Sequence, residues 1–245
     1  MAKIRYYEIE IDGQQFPVKE HRERRRGARF SFGKDRILFR MPSPLLPQQE
    51  KECLDWFRTT LEKRLREQPE IKERYAIKTY KTGDIITVGE RKYILEISFS
   101  DRKTHSARLK NGVITMSLAK GESPAGLQKS IKTLLSRTIS NDYKPAITRR
   151  VLELNELYFK KEVYSVNLKY NQSNWGSCSS RGNLNFSSRL LFAPPDVVDY
   201  VIIHELAHLL EMNHSPRFWA HVSKAMPDYK QKEKWLKDHR ASCDF

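Results

Sequence analysis

The sequence predicts an α+β fold with a β-hairpin-rich N-terminal half and a helical C-terminal half. Two observations support this prediction. Asp12-Gly13 and Asn111-Gly112 each separate strand-like runs, as in tight hairpins. From Ser123 onward, apolar residues recur mainly at helical spacing. We therefore expect a basic, β-rich region with one helix over residues 1–122 and a helical core over 123–245, as two domains or one compact unit.

The first 70 residues predict two hairpins and one helix. The expected strand pairs are Ile4–Ile11 with Gln15–Lys19 and Arg29–Phe32 with Arg36–Met41, the second around a turn at Gly33-Lys34-Asp35. Pro17 has no backbone donor, which favours an edge strand. An amphipathic helix is expected over Gln48–Gln68, with an apolar stripe formed by Leu54, Phe57, Leu61 and Leu65.

The middle of the chain predicts a small antiparallel sheet followed by helices. The expected strands are Ile85–Val88, Tyr93–Phe99, Ala107–Lys110 and Val113–Leu118. Ser123-Pro124 has the residues of an N-cap and a first helical position. Pro145 is expected to break or kink this helix, with a second helix running to about Leu157.

The C-terminal part predicts two strands and three helices. The strands are expected at Val163–Tyr170 and Gly182–Phe192. Pro194-Pro195-Asp196 opens the first helix, Pro216–Ala225 forms the second and the last begins near Tyr229. The rings of Phe218 and Trp219 are expected to pack against the first helix.

Charge and cysteine content narrow the class of protein. The formal net charge of +15 attracts polyanions, so the basic N-terminal half is either a nucleic-acid-binding surface or a set of solvated cations. Basic residues concentrate in the run His21–Arg29, which could also protect an exposed strand edge. Three scattered cysteines, no apolar leader and no long apolar run favour a cytoplasmic protein without a membrane span.

The stretch Tyr200–Trp219 contains the pattern H-E-x-x-H at His204, Glu205 and His208. Residues four apart lie on the same helix face, so the two imidazoles can bind one zinc ion. Glu205 then lies beside the metal, where a general base can take a proton from water. The alternative is an amphipathic helix with solvated histidines. The surrounding residues are almost all apolar, which indicates a buried helix and favours the metal site.

His214 is the candidate third ligand. A continued helix would turn it to another face, so the helix must end first. Asn213 tolerates the left-handed conformation that ends helices, and Ser215-Pro216 is typical of a new helix start. Three histidines would leave one coordination position open for water, as in catalytic zinc sites. Glu233 is the alternative third ligand.

Five segments resemble the YgjP-like metallopeptidases, which are zincin-type metal-dependent hydrolases related in pattern to the SprT-like group. They are N-W-G-S-C-S from Asn174, R-G-N-L-N-F from Arg181, D-Y-V-I-I-H-E-L-A-H from Asp199, N-H-S-P-R-F-W from Asn213 and P-D-Y from Pro227. The resemblance extends from about Glu20 to the C-terminus. It departs at Asn174, where such proteins often carry a basic residue.

The resemblance implies a zincin-like core with one Zn2+ per chain, held by His204, His208 and His214. It also implies catalysis by Glu205 on protein or peptide substrates. A strand near 182–192 is implied to pair with an extended substrate beside the active helix.

Three other functions remain open at this point. The histidine spacing also resembles a bacterial metal-dependent RNA-processing family, although that pattern needs no glutamate after the first histidine. Peptide deformylation also uses H-E-x-x-H, but Cys178 would have to be the third ligand. A basic nucleic-acid-binding protein with a structural metal site would fill the fourth position with Cys178 or Glu233.

Overall fold

The computed structural model describes residues 3–33, 36–69, 71, 79–240 and 242–245. The chain divides into two compact units, Met1–Lys78 and Thr79–Phe245. The sequence suggested a division at 122/123 instead. The boundary differs because the strands between residues 85 and 119 share a hydrophobic core with the C-terminal helices.

The first unit is a four-stranded sheet with one helix on one face. Its elements are β1 (Lys3–Ile11), β2 (Gln14–Glu23), β3 (Arg29–Phe32), β4 (Ile37–Pro42) and α1 (Pro47–Glu67). The sheet order is β1-β2-β4-β3, with β2 and β4 parallel and the other pairs antiparallel. Phe57, Leu61 and Leu65 of α1 are buried against the sheet, where the rings of Phe39 and Phe57 stack at 4.2 Å.

Both predicted hairpins of this unit are confirmed. Asp12 and Gly13 have φ values of 50° and 75°, as the tight turn requires. Part of the turn at Gly33-Lys34-Asp35 lies outside the described residues. The prediction that Pro17 marks an edge strand was wrong, because β2 pairs on both sides. The pairing of β2 with β4 starts at Val18, so Pro17 lies just before it and no hydrogen bond is lost.

The second unit contains two sheets and a group of helices. Its strands are β5 (Ile85–Val88), β6 (Arg91–Ser100), β7 (Ser106–Lys110), β8 (Val113–Ala119), β9 (Ser165–Lys169), β10 (Gly176–Cys178) and β11 (Asn183–Ser187). Its helices are α2 (Pro124–Tyr158), the 3-10 helix Ser188–Phe192, α3 (Pro195–Ala207), α4 (Pro216–Ala225) and α5 (Tyr229–Asp238). The sheet orders are β5-β6-β8-β7 and β10-β11-β9.

The α+β class is confirmed, and three predictions about this unit need correction. The sheet β5-β6-β8-β7 was predicted to be antiparallel, but it is mixed, because β6 and β8 are parallel. Pro145 lies inside the continuous helix α2 and does not divide it. The strand predicted over 182–192 ends at Ser187, where the Ser187 side chain accepts from the Arg189 backbone and starts the 3-10 helix.

The described helices contain no candidate membrane span, since none combines the necessary length with sufficient apolar character.

Candidate metal centre

Helix α3 positions the first part of the site. It starts at Pro195, and Asp196 lies in its first turn, where a carboxylate stabilises the positive end of the helix dipole. Most of its residues are buried in the core of the second unit. The helix places His204 and Glu205 in its last turn, and His208 follows directly with a helical backbone (φ −66°, ψ −17°). His204 and His208 therefore lie one helical turn apart, as predicted.

The third histidine lies in the turn between α3 and α4. The predicted change of direction is present, but Asn213 does not provide it through a left-handed backbone. Instead α3 ends at Ala207, and the next residues form tighter turns. The Asn213 side chain accepts a hydrogen bond from the Ser215 backbone at 3.1 Å. The Ser215 side chain in turn accepts from Phe218 and caps α4.

The three imidazoles converge on one point. One nitrogen from each of His204, His208 and His214 lies within 4.8 Å of the other two. The Nε2 atoms of His204 and His214 are 3.1 Å apart. Tetrahedral zinc with Zn–N bonds of about 2.0–2.1 Å holds its nitrogens roughly 3.3 Å apart. The spacing therefore fits a small cation.

The protonation of these rings also fits a metal site. His208 Nδ1 lies 3.0 Å from the Glu211 carbonyl oxygen, which fixes the proton on Nδ1 and leaves Nε2 free to bind a metal. Burial, followed by the charges of the other two histidines, lowers the pKa of His204 to about 3. Burial also lowers the pKa of His208. Both rings are therefore neutral near pH 7, the form that ligates metals.

Glu205 is an almost fully buried carboxyl, with 5 % of its surface exposed. Burial raises its pKa to about 8. Its side chain lies against the backbone of Gly176 in β10. A Cβ atom at Gly176 would be 2.5 Å from Glu205 Oε1 and 2.7 Å from its Cγ, so the position admits no side chain without displacement. This contact explains the glycine of the Trp-Gly-Ser-Cys motif.

Glu205 should make the stability of the metal-free protein depend on pH. Its folded-state pKa is raised from 4.5 to about 8, so this group's favourable contribution is complete below pH 4.5 and is lost as the pH rises through 8. We therefore expect the Tm difference between metal-free Glu205→Gln and metal-free wild type to grow by several degrees in favour of the variant as the pH rises from 5 to 9. Thermal denaturation with chelator measures this gain. A constant Tm difference would contradict the buried carboxyl.

The two alternative ligands do not join the histidines. Within the part of the chain that the structure describes, the metal-ligand cluster contains neither Cys178 nor Glu233. Burial, and secondarily the charge of Glu205, raises the pKa of the Cys178 thiol to about 11. Its sulfur donates to the Ser179 carbonyl oxygen at 3.4 Å. Cys178 is thus a protonated, packed thiol.

Two aromatic rings of α4 support the histidines. Phe218 is fully buried, and its ring centroid lies 4.5–4.9 Å from those of all three histidines. Trp219 stacks on His214 at 5.8 Å, and Tyr229 stacks on Trp219 at 5.2 Å. The sequence predicted that both rings pack against the first of these helices. It did not predict that Phe218 contacts all three histidines. Their helical spacing alone gives no signal for it.

Trp219 should hold the orientation of His214, which is otherwise an exposed side chain. We expect Trp219→Ala to weaken zinc binding roughly tenfold, the lower end of the effect of outer groups that orient metal ligands. Trp219→Phe keeps an aromatic ring there and should stay near wild type. Competition with a zinc chelator dye measures both affinities. Equal affinities for the alanine variant and wild type would contradict this role.

Comparison with known proteins assigns the chain to a family. No curated protein matches the chain significantly. Two solved structures match parts of it, the metallopeptidase zymogens abylysin of Pyrococcus abyssi and jannalysin of Methanocaldococcus jannaschii. They are 20 % and 18 % identical over 38 % of this chain, covering 93 % and 94 % of their own, with TM-scores of 0.35 and 0.33. The model of the YgjP-like metallopeptidase domain matches residues 27–239, so the chain belongs to the YgjP-like metallopeptidase family.

Proposed function

We propose that this protein is a zinc-dependent peptidase in which His204, His208 and His214 hold the ion and Glu205 is the general base. The single observation that supports this most is the convergence of three imidazole nitrogens beside a buried carboxyl. When bound, zinc lowers the pKa of a coordinated water and polarises the scissile carbonyl. Three protein ligands leave a position for that water, which distinguishes this arrangement from a structural site with four.

Glu205 has the environment that a general base needs. Burial raises the pKa of its carboxyl to about 8, whereas a nearby divalent cation would lower it. The two effects together keep the carboxyl able to gain and lose a proton near neutral pH. In the proposed mechanism Glu205 removes a proton from the attacking water and donates it to the leaving amine. The contact with Gly176 fixes the carboxyl in this position.

The substrate is proposed to bind as an extended strand along β10. The resemblance implied such pairing for the strand near 182–192, but β11 lies between β9 and β10 and is already paired on both sides. Strand β10 is at the sheet edge next to α3. Backbone hydrogen bonds join Trp175 and Ser179 to residues of β11. The direction of the backbone N–H and C=O groups alternates along a strand, so those of Gly176 and Cys178 face away from β11. These groups can pair with a peptide.

Cys178→Pro tests this binding mode because it removes one outward N–H group. Proline is tolerated on an edge strand at such a position. We expect KM for an unfolded protein substrate to rise about 3- to 10-fold, the effect of one hydrogen bond, with zinc content unchanged. Cys178→Ala removes the thiol but keeps the N–H, so it should behave as wild type. An unchanged KM in the proline variant would contradict substrate pairing along β10.

The proposed function is tested by offering the zinc-loaded protein two substrates, casein and a single-stranded RNA. Cleavage of casein that a chelator abolishes and added zinc restores is the expected result. RNA should remain intact, because Glu205 beside the histidines is a feature of the peptidase pattern. Metal-dependent cleavage of RNA without cleavage of casein would favour the RNA-processing alternative.

A further inference from the structure

One face of the sheet β1-β2-β4-β3 in the first unit carries a concentrated positive surface. Helix α1 packs on the opposite face, and side chains alternate along each strand. The register aligns two cross-strand rows on this face, Ile4-His21-Arg40-Arg29 and Tyr6-Lys19-Leu38-Ser31. We call this surface, with its two adjoining loops, the basic face; its basic or aromatic members are Tyr6, Lys19, His21, Arg24, Arg26, Arg29, Arg36 and Arg40.

The charge of this region is only partly balanced. Between Lys3 and Arg40 the sequence has eleven arginines and lysines against six aspartates and glutamates, and Glu8 and Glu10 alternate onto the same face of β1 as Tyr6. Glu20 points to the other face, where it is 2 % exposed and accepts from Arg22 at 2.6 Å. Glu23 binds Arg25 and Arg40. Arg24, Arg26 and Arg29 are exposed, and no carboxylate of the described residues forms an ion pair with them.

Protection of a sheet edge does not account for this pattern. Arg29 lies on the edge strand β3, where a charge does oppose unwanted strand pairing. Lys19 and Arg40 lie on the two central strands and point out of the sheet plane. Neither can therefore block an edge. Clustered like charges repel one another, which a bound polyanion would relieve.

An exposed aromatic ring among these cations indicates which polyanion fits. Tyr6 is 62 % exposed, with Lys19 Nζ 5.7 Å and Arg36 Cζ 5.3 Å from its ring centre. Proteins that bind single-stranded nucleic acid combine cations for the phosphates with aromatic rings for the bases, often on a sheet face. Reading a duplex groove requires a protruding helix or ribbon, and α1 lies on the other side. An acidic peptide would make no use of the ring.

We propose that the basic face binds single-stranded nucleic acid. The cations bind successive phosphates, and Tyr6 stacks on a base. This binding is separate from the peptidase chemistry and does not depend on it.

The test measures binding of a fluorescein-labelled oligothymidylate by anisotropy over a range of salt concentrations. The variant Arg24→Glu/Arg26→Glu/Arg29→Glu changes the basic face, and Lys51→Glu/Lys63→Glu/Arg66→Glu changes the formal charge equally on exposed positions of α1. We expect at least tenfold weaker binding for the first variant and near wild-type binding for the second. The slope of log K against log salt should fall by about 2 in the first, about 0.7 for each of three lost phosphate contacts.

Further variants make the result decisive. The variant Arg24→Gln/Arg26→Gln/Arg29→Gln introduces no negative charge, and it should also bind more weakly than wild type and the α1 variant. Tyr6→Leu should weaken binding about fivefold or more, while Tyr6→Phe keeps the ring and should bind as wild type. Equal weakening by the basic-face and α1 variants would overturn the proposal, because only net charge would then matter. So would full binding by Tyr6→Leu or equally tight binding of polyglutamate.

Discussion

Glu205→Gln is expected to reduce kcat/KM for casein by about 1,000-fold while leaving zinc content unchanged, since general-base catalysis contributes about 10²–10⁴. The amide has nearly the shape of the carboxyl but cannot take a proton from water. Zinc should stay bound because Glu205 is not one of the three residues whose side chains converge as metal ligands. Activity assays and elemental analysis of the same preparation separate the two properties.

Glu211→Gln is the matched control for this prediction. It makes the same chemical change close to the site, but the Glu211 atom that hydrogen-bonds to His208 is the backbone oxygen, which the change leaves in place. This variant should retain full activity. Normal turnover by Glu205→Gln would show that another group is the base, and loss of its zinc would show that the carboxyl has a role in metal binding.

Gly176→Ala is expected to reduce kcat by about 100-fold, because a misplacement of about 1 Å can cost this much. The added Cβ would lie 2.5–2.8 Å from three atoms of Glu205, so either this side chain or β10 must move. The three atoms nearest the new methyl group all belong to Glu205, so zinc should remain bound. Steady-state kinetics and metal content measure the two effects.

The role of Gly176 is distinguished from a general structural role by two comparisons. Gly27→Ala adds the same methyl group at a position with no atom within 4 Å and should leave activity unchanged. The double variant Gly176→Ala/Glu205→Gln should be no less active than Glu205→Gln alone, because both changes act through one carboxyl. Full activity of Gly176→Ala, or additive losses in the double variant, would contradict the proposed contact.

Local signals predicted most of the elements. The dipeptides Asp12-Gly13 and Asn111-Gly112 both form left-handed turns, and Ser123 and Ser215 both cap helices. Several errors concern long-range pairing, whereas those at Pro145, Ser187 and Asn213 are local. Neighbouring residues contain no information that β2 pairs with β4 or β6 with β8, since both are parallel pairs between separated strands. The division between the units depends on the same kind of contact.

The site shows the same contrast. The spacing of His204 and His208 and the helix start after His214 were sufficient to predict that the three histidines converge. The residues that Glu205 and the histidines contact could not be predicted in this way. Gly176 and Phe218 come from separate elements, and only the packing of β10 and α4 against α3 brings them to the site.

Zinc content per chain tests the central claim most directly. Elemental mass spectrometry of protein purified with adequate metal should find about one zinc in wild type, as a three-histidine site requires. His204→Ala should lose it and Cys178→Ser should keep it. A wild-type protein without bound metal would contradict the metal centre, and loss of zinc from Cys178→Ser would contradict a site with an open position.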